Sequence, residues 1–599
     1  MIGSYTRPAV RLVEVRLLDG PNLYRLEPVV RIEVTVGRRR TWFGQRLPGR
    51  HAVVRLGAVV KPSDAPRAVA ELGRWVRRLH RRALARSVSV TIHSTSEPGH
   101  WVVAFPWNER ARAETLARAA LRLVEEPGEA LFERAVRRIA RTEPGGGPEW
   151  VSDAERRLPL ISISGTNGKS TTTRMLTHIA RLAGKHVGTT TTDGVIIDEE
   201  MVESGDFTGP QGARVVLGTP GLDIGVFETA RGGILLRGLG YQSNDASILT
   251  NVSGDHLDLQ GLHTLPELAE VKSVICRVTR PQGTVVLNAD DDLVAAVASR
   301  VTAPVVFFSL DASSARVRRH LARGGRAYVL DDGWLVERTA RRSRRIVAAR
   351  EVPATVGGVA RHNVANALAA AGGARAMGLT PEQIAAGLRD FRPSADLMPG
   401  RLNMYVLGNR LVIVDYAHNV AGLGVLYDTA EALVGSRDKR TATVTTILGT
   451  AGDRPDDYIR ELARMAGSRS DEVAIKESLV YLRGRTRASV IGELKEGLRA
   501  AGVAVNEIPI YDDEHVALQG ELTTPGRLAA REDGARVLIV MTHRLREEIA
   551  GYLAAAGAVP VADASQLEPF RAPDAAGETR ARRSRPTRPG GRLSARTRS

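Results

Sequence analysis

A short segment, GTNGKS from Gly165 to Ser170, holds the residue types that grip a nucleotide phosphate. It follows the apolar run LISIS and precedes TTTRML, which is the order strand, loop and helix. Its glycines permit turns that aim backbone N–H groups at phosphate oxygens, and the start of the helix adds its positive end. Lys169 would neutralise β- and γ-phosphate charge, and the Ser170 hydroxyl would bind Mg²⁺. The common pattern GxxxxGK[ST] fails because Ile163 stands at its first glycine position, so the prediction of nucleotide binding depends on the placement of the loop.

Three further side chains could serve phosphate chemistry. Glu228 ends the apolar strand LDIGVFE, and His256 follows the strand DASILTNV. Ligands of doubly wound sheets bind at the carboxyl edge of the strands, where both residues would lie, and a Mg²⁺ ion there needs oxygen or nitrogen ligands. Lys272, in PELAEVKSVI, would face the metals from a helix. Each of these residues alone is also compatible with a surface role, and the combination with the loop favours a site.

The elements that must position these residues are short apolar strands alternating with helices from Leu158 onward. This alternation predicts an α/β fold with a mostly parallel, P-loop-type sheet, and it resumes beyond Pro399 in a smaller α/β domain. A small α+β unit precedes both. The predicted organisation is an N-terminal α+β domain (1–126), a linker (127–150), a central ATP-binding domain (151–398), a C-terminal domain (399–564) and a disordered Arg-rich tail (565–599).

The N-terminal domain shows two amphipathic helices, from Ser63 to Arg86 and from Asn108 to Glu126, with Ser63 and Asn108 as the expected N-caps. The segment 127–150 combines a short helix with Pro-Gly-Gly-Gly-Pro, which is typical of a linker.

Composition excludes several classes of protein. No apolar run approaches the ~20 residues of a membrane span, and the first residues lack the apolar core of a signal peptide. Cys276 is the only cysteine, so an intramolecular disulfide and a four-cysteine zinc site are excluded, and we expect a cytoplasmic protein with no membrane partner. The net charge of +17 includes eight arginines between Arg580 and Ser599. A basic surface with a tail explains this charge without nucleic acid, although an anionic partner such as an acidic polymer is the alternative. A homo-oligomer is possible.

A set of segments, in order, resembles the Mur ligase superfamily. They are GTNGKS, FETARGG (227–233), NVSGDHLD (251–258), VKS around Lys272, LNADD (287–291), RHNVANALAA (361–370), PGR (399–401) and DYAHN (415–419). Within the superfamily, the resemblance is closest to the Mur-ligase-like half of cyanophycin synthetases, through TTTTDGVIIDEEMVESGDFTGPQGARVVL (189–217), ETARGGILLRGLG, GTAGDR and AIKE…LRGR. The N-terminal unit, with GPNLYRL (20–26), is similar to the N-terminal domain of the same enzymes.

The chain departs from that family in two places. Cyanophycin synthetases carry an ATP-grasp domain between the two parts, where this chain has only residues 127–150. The resemblance therefore implies one reaction, which joins an amino acid, arginine in the family, to a side-chain carboxylate such as that of aspartate. In addition, ESLVYLRGR stands where related sequences have an acidic run after Lys-Glu. Carboxylates are the natural partners of a guanidinium, so arginine is a questionable substrate.

The resemblance implies a role for each matching position. The cofactors would be ATP and two Mg²⁺ ions, and Lys272 would carry a carbamyl group. The catalytic residues would be Lys169, Lys272, His256 and Arg401, and the metal ligands would be Ser170, Glu228 and His256. The nucleotide would contact Gly165, Thr166, Asn167, Gly168, Lys169, Ser170, Thr171, Asn288, His362, Asn363, Asn366, Arg401 and Asp415. Candidates for orienting the acceptor are Thr191, Thr192, Asp193 and Gln211, and candidates for the incoming amino acid are Asp453, Arg454, Lys476 and Glu477.

These residues suit a two-step reaction. The acceptor carboxylate attacks the γ-phosphorus of ATP to give an acyl phosphate and ADP, and an amine then displaces phosphate. Delivery of Arg401 and Asp415 requires closure of the C-terminal domain, so we predict a hinge near Ser394 to Gly400. The alternatives are a folylpolyglutamate-type ligase, a catalytically idle polymer-binding or regulatory protein, and a P-loop phosphotransferase.

Overall fold

A computed structural model describes residues 9–37, 59–254, 262–435, 442–476, 481–523 and 535–572 of the chain. It divides into two compact units, residues 1–392 and residues 393–599. His256, Glu477 and the Arg-rich tail beyond residue 572 lie outside the described residues.

The first unit begins with a four-stranded antiparallel sheet in the order β1-β2-β4-β3, covered on one face by three helices. Side chains alternate across each strand, so Val30, Ile32 and Val34 enter the core between sheet and helices. The elements are β1 (Ala9–Leu18), β2 (Val29–Gly37), α1 (Arg67–Leu84), β3 (Thr91–Ser94), β4 (His100–Pro106), α2 (Arg110–Glu125) and α3 (Glu129–Arg141).

The predicted N-caps of this layer are wrong. Pro66 precedes α1 and Glu109 precedes α2, and neither makes a side-chain capping bond. The Ser63 hydroxyl bonds instead to its neighbour Asp64. Helix α3 lies within the predicted linker, and its Phe132, Ala135 and Ile139 are buried in the N-terminal core.

An eleven-stranded sheet forms the rest of the first unit, in the order β15-β14-β13-β12-β11-β10-β5-β9-β6-β7-β8. Its seven middle strands, from β13 to β6, are parallel, and antiparallel strands continue the sheet on both sides. The strands are β5 (Leu160–Ser164), β6 (Val187–Thr190), β7 (Gly194–Ile197), β8 (Glu200–Ser204), β9 (Ile224–Glu228), β10 (Asn244–Leu249), β11 (Thr279–Asn288), β12 (Val305–Ser309), β13 (Arg326–Asp331), β14 (Trp334–Thr339) and β15 (Ser343–Ala348).

Helices cover this sheet, and therefore its central strands are buried on both faces and read as continuous apolar runs. The helix α7 starts with a reciprocal capping box between Thr264 and Glu267, and Thr380 and Gln383 cap α12 in the same way. The helices are α4 (Lys169–Leu182), α5 (Pro210–Gly218), α6 (Arg231–Leu236), α7 (Leu265–Lys272), α8 (Val274–Arg277), α9 (Asp292–Ala296), α10 (Ala315–Ala322), α11 (Arg361–Ala376) and α12 (Pro381–Asp390).

The N-terminal layer joins the large sheet through the segment GPNL. The backbone N–H of Asp19 donates to the carbonyl of Arg237 at 2.7 Å, and the N–H of Leu239 donates to the carbonyl of Pro21 at 2.8 Å. A Cβ atom on Gly20 would lie 1.8 Å from the Leu239 carbonyl oxygen, so only glycine fits there. The two layers are thus held backbone to backbone.

The second unit contains a seven-stranded sheet in the order β20-β19-β18-β21-β17-β16-β22, in which β20 to β17 are parallel. Its strands are β16 (Asn403–Leu407), β17 (Arg410–Asp415), β18 (Ala442–Leu448), β19 (Glu472–Lys476), β20 (Ile510–Tyr511), β21 (Ala535–Met541) and β22 (Val559–Pro560). Its helices are α13 (Val420–Val434), α14 (Asp456–Arg469), α15 (Arg487–Ala500), α16 (Glu514–Thr523) and α17 (Arg546–Ala555).

These sheets confirm the predicted fold class, an α/β protein with a large, mostly parallel sheet, a smaller α/β unit and an N-terminal α+β layer. The division between the units, at residues 392 and 393, falls just before the predicted hinge. Among the described residues, no helix is both long and apolar enough to cross a membrane.

Candidate functional site

The loop from Gly165 to Ser170 connects β5 to α4, as predicted. Gly165 has φ 150° and Gly168 has φ 84°, both in the region that favours glycine. A Cβ atom on Gly165 would lie 1.9 Å from the Thr250 hydroxyl oxygen, and one on Gly168 would lie 2.3 Å from Asn366 Oδ1. Both glycines are therefore required by conformation and by close packing.

The loop is held from the neighbouring strand end by Thr250 and Asn251. The Asn251 side chain accepts from the N–H of Asn167 and donates to its carbonyl, each at 2.9 Å. The Thr250 hydroxyl donates to the same carbonyl at 2.7 Å, and the N–H of Thr166 donates to the Asn251 carbonyl at 2.8 Å. Asn251 lies in the motif NVSGDHLD, but its contact with the loop was not predicted. Its position after strand β10 could have indicated the contact, because β5 and β10 are parallel neighbours and their carboxyl ends lie side by side.

A hydroxyl and a carboxylate meet at the start of α4. The Ser170 hydroxyl donates to Glu228 Oε1 at 3.1 Å, and both side chains are buried. Hard oxygen ligands of this type are those that Mg²⁺ prefers, so the pair fits a metal site beside a phosphate. The described residues contain no cluster of three or more His, Cys, Asp or Glu side chains, and His256 is not among them. The fit to Mg²⁺ therefore depends on this pair.

Two lysines bracket the loop. Lys169, at the first position of α4, donates to the Thr166 carbonyl at 2.8 Å and remains half-buried. Lys272 ends α7, is 5% exposed, and donates to the Gly165 carbonyl at 2.5 Å. Both predicted lysines thus lie against the loop backbone and bring positive charge to the loop.

The asparagines predicted to surround adenine form a chain of hydrogen bonds on α11. Asn366 Nδ2 donates to Asn363 Oδ1 at 3.1 Å, and Asn363 Nδ2 donates to the Ala354 carbonyl at 2.7 Å. The Thr172 hydroxyl donates to Asn366 Oδ1 at 3.4 Å, which ties α11 to the helix after the loop. Asn288, at the end of β11, donates to the Thr250 carbonyl at 2.8 Å. Half-buried His362 and buried Thr171 lie in the first turns of α11 and α4.

The four residues predicted to orient the acceptor differ in their burial and in their hydrogen-bond partners. Thr191 is buried, and its hydroxyl accepts from the N–H groups of Asp193 and Gly194, so it stabilises a turn. The Thr192 hydroxyl oxygen is buried and has no hydrogen-bond partner among the described residues. Asp193 pairs with Arg174 on α4 at 3.6 Å, and Gln211 is exposed at the start of α5. Because β6 pairs with β9, this turn lies beside the strand end that carries Glu228.

In the second unit, Arg401 and Asp415 lie together. The guanidinium of Arg401 stacks over the Tyr416 ring at 4.4 Å, and the N–H of Leu402 donates to Asp415 Oδ2 at 2.7 Å. Burial raises the pKa of Asp415, and the charge of Arg401 acts in the opposite direction.

The candidates for the amino-acid site lie at strand ends of the same sheet. Lys476 is buried and donates to Glu514 at 3.1 Å, and its ammonium lies 3.0 Å from His543 Nδ1. Asp453 pairs with Arg483 at 2.6 Å, and Arg454 is 6% exposed. Burial, followed by the charge of Lys476, lowers the pKa of His543 well below its usual value, so the imidazole is neutral. His543 and Glu514 were not predicted from the sequence. His543 could have been, because it follows the apolar run RVLIVMT and therefore stands at the end of a predicted strand, as Glu228 does.

Comparison with known proteins agrees with this geometry. Residues 163–374 match the Mur ligase middle domain, and this range contains the loop, Glu228, Lys272 and the asparagines of α11. Cyanophycin synthetase of Trichormus variabilis is 42% identical over 349 residues, which are 58% of this chain and 38% of that protein. The UDP-N-acetylmuramoyl-L-alanyl-D-glutamate–2,6-diaminopimelate ligase of Geobacter metallireducens is 28% identical over 62% of this chain and 71% of its own length.

Among solved structures, FolC of E. coli in complex with DHPP and ADP has a TM-score of 0.48 and 19% identity, covering 67% of this chain and 88% of that one. The match to the cyanophycin synthetase covers only 38% of the length of that protein. Over residues 163–374, the chain is therefore similar to the Mur ligase middle domain.

Proposed function

We propose that this protein is an ATP-dependent, ADP-forming amide ligase that joins an amino acid to a carboxylate acceptor, such as an aspartate side chain, through an acyl phosphate. The observation that carries the proposal is the arrangement around the loop. The Ser170–Glu228 oxygen pair and the two lysines Lys169 and Lys272 converge on one glycine loop within a Mur ligase middle domain.

In the first step, an oxygen of the acceptor carboxylate attacks the γ-phosphorus of ATP, and the bond to the ADP oxygen breaks. The backbone N–H groups in the first turn of α4 and Lys169 would hold the phosphates, since a helix N-terminus carries partial positive charge. Ser170 and Glu228 would hold Mg²⁺, which when bound offsets the charge between carboxylate and phosphate. His256, outside the described residues, remains a proposed ligand of a second ion.

In the second step, the amine attacks the acyl carbon, loses a proton, and inorganic phosphate leaves. Residues around Thr192 are proposed to orient the acceptor, because a buried hydroxyl in the turn beside Glu228 is available to bond a ligand. Arg401 and Asp415 are proposed to contact the nucleotide from the second unit. Lys272 is proposed as the lysine that is carbamylated, since it is buried against the loop backbone.

The test follows ADP release by the purified full-length chain with ATP, Mg²⁺, a blocked oligo-aspartate peptide and a panel of amino acids. We expect release that depends on both the peptide and an amino acid. Hydroxylamine should replace the amine and yield a hydroxamate of the peptide, which reports the acyl phosphate. ADP release without dependence on any amine would indicate a phosphotransferase or ATPase and would refute the ligase.

A variant pair checks the loop. Lys169→Ala removes the cation at the start of α4 and should abolish turnover. Lys185→Ala, an exposed lysine just after the same helix, is the matched control and should retain full activity. An active Lys169→Ala variant would mean that the loop is misassigned.

A further inference from the structure

The carboxyl edge of the sheet in the second unit carries an unusual density of positive charge. Lys476 ends β19, Arg454 follows β18, and Arg401 precedes β16. Arg483 and Arg546 follow β19 and β21. We call these five residues the basic edge.

Aromatic rings hold this basic edge together. The Tyr481 ring stacks on the His543 ring with centroids 5.3 Å apart and planes 14° apart, and Tyr416 meets His543 edge-on at 5.7 Å. The guanidinium of Arg483 lies 4.9 Å from the Tyr481 ring, and that of Arg546 lies 4.7 Å from the Tyr416 ring. Guanidinium groups held over aromatic faces in this way are fixed in position and keep N–H donors for a ligand.

Arg454 belongs to the same surface. It is 6% exposed, and its guanidinium lies 5.9 Å from the Tyr458 ring. Burial raises the pKa of Tyr481, and the charges of Arg483 and Arg454 act in the opposite direction. Two arginines from the ends of neighbouring strands β18 and β19 thus act on one tyrosine.

Two carboxylates of this edge already have cationic partners. Glu514 accepts from Lys476 at 3.1 Å and from the backbone N–H groups of His543, Arg544 and Leu545. Asp453 accepts from Arg483 at 2.6 Å. In sequence, the stretch from Lys476 to Arg485 carries three cations and one carboxylate, Glu477. Because Glu514 and Asp453 are paired, a substrate guanidinium or ammonium side chain would find fewer free partners here than a substrate carboxylate would.

Two buried hydroxyls point to a ligand at the same edge. Thr450, after β18, is 4% exposed, and Thr542, after β21, is fully buried. Neither hydroxyl oxygen has a hydrogen-bond partner among the described residues, and the same holds for Asp453 Oδ1. Buried polar atoms of this kind cost free energy unless a ligand or water bonds to them.

From these observations we infer that the amino acid added by this chain carries a side-chain carboxylate, as glutamate and aspartate do, and that Arg454 and Arg483 select it. The inference rests on the proposed ligase function. A guanidinium has five N–H donors, so Arg483 can keep Asp453 and still bind a substrate carboxylate. The second carboxylate distinguishes such an amino acid from its amide and from arginine.

The experiment compares kcat/KM for five amines in the ADP-release assay: glutamate, aspartate, glutamine, asparagine and arginine. We expect the acidic amino acids to exceed their amides by at least about tenfold, the effect of losing a charge-assisted hydrogen bond at a partly exposed guanidinium. A kcat/KM for arginine or for the amides equal to or above that for the acids would overturn the inference while leaving the ligase function intact.

Variants separate selection from folding. Arg483→Gln should cut the ratio of glutamate to glutamine at least tenfold, and Arg483→Lys should restore part of it. Arg464→Gln is the matched control, because Arg464 is similarly exposed on α14 and pairs with Glu461. An Arg483→Gln variant that loses activity equally toward both amines would contradict a selecting role, and so would an unchanged ratio.

A binding measurement distinguishes failure of the inference from failure of the proposed function. Calorimetric titration of the full chain with glutamate and with arginine, in the presence of ADP and Mg²⁺, should show the tighter binding for glutamate. If no amine supports ADP release, the ligase function fails, and the titration still tests the site. Tighter binding of arginine, or binding of neither, would overturn the inference.

Discussion

The buried ion pair between Glu514 and Lys476 allows a quantitative test of what stabilises the second unit. Its carboxylate is fully buried, bonds to the Lys476 ammonium, and accepts three backbone N–H groups where β21 leads into α17. Burial alone would raise the pKa of Glu514, but Lys476 and these N–H groups lower it from 4.5 to about 2. A depression of this size corresponds to about 3 kcal/mol of folding stability at neutral pH.

Glu514→Gln keeps the shape of the side chain and removes its charge, which leaves the Lys476 ammonium buried without its counter-ion. We expect a loss of about 3 kcal/mol, within the range for breaking a buried ion pair. At a urea m-value of about 2 kcal/mol/M, the unfolding midpoint of the second unit should fall by about 1.5 M. Because the pKa of Glu514 is depressed on folding, its contribution is complete above about pH 5 and is lost as the pH falls toward 2.

The chain supplies its own control for this assay. All six tryptophans precede residue 393, so selectively excited tryptophan fluorescence reports the first unit, and circular dichroism reports both. Glu514→Gln should shift part of the dichroism transition and leave the fluorescence transition in place. Glu548→Gln, an exposed glutamate on α17, should change neither. An unchanged dichroism transition in Glu514→Gln would refute the view that this buried pair stabilises the unit.

Three further predictions concern the first unit. Gly165→Ala should weaken ATP binding at least tenfold in a calorimetric titration, because its Cβ atom would lie 1.9 Å from the Thr250 hydroxyl; unchanged affinity would contradict this packing. Lys272→Ala should lose about 100-fold in kcat, and added bicarbonate should not restore it; a fully active variant would exclude a carbamate role. Gly20→Ala should lower the midpoint of the tryptophan-detected unfolding transition, since its Cβ atom would clash with the Leu239 carbonyl, whereas Gly128→Ala, with open space around it, should be close to neutral.

The central fold could be predicted because its signals are local. Buried parallel strands are continuous apolar runs, and a glycine loop between such a run and a helix has few structural alternatives. Glu228 could be placed for the same reason, since the carboxyl ends of parallel strands share an edge. The predicted N-caps Ser63 and Asn108 were wrong because the helices begin three residues and one residue later, after Pro66 and Glu109, where no side chain caps the first N–H groups.

Contacts between distant segments could not be predicted. The bond from Lys272 to the Gly165 carbonyl spans 107 positions, and the one from Lys476 to Glu514 spans 38. The number of residues between the partners predicts neither contact, since each contact depends on which strands become neighbours in the sheet. For the same reason, the sequence shows the excess of arginine near Lys476 but not the tyrosine and histidine rings that gather it into one surface.

The junction at Gly20 gives the N-terminal layer a structural role beside Glu228. The segment it contacts, Arg237 to Leu239, directly follows α6, and α6 follows the strand end that carries Glu228. A small crevice beside Glu228 is lined by residues that include Thr190, Gly233 and Leu239. Since the N–H of Leu239 donates to the Pro21 carbonyl and Gly20 packs against Leu239, the N-terminal layer also holds one part of this crevice. In the proposed ligase, the N-terminal layer would therefore hold the shape of the space next to Glu228.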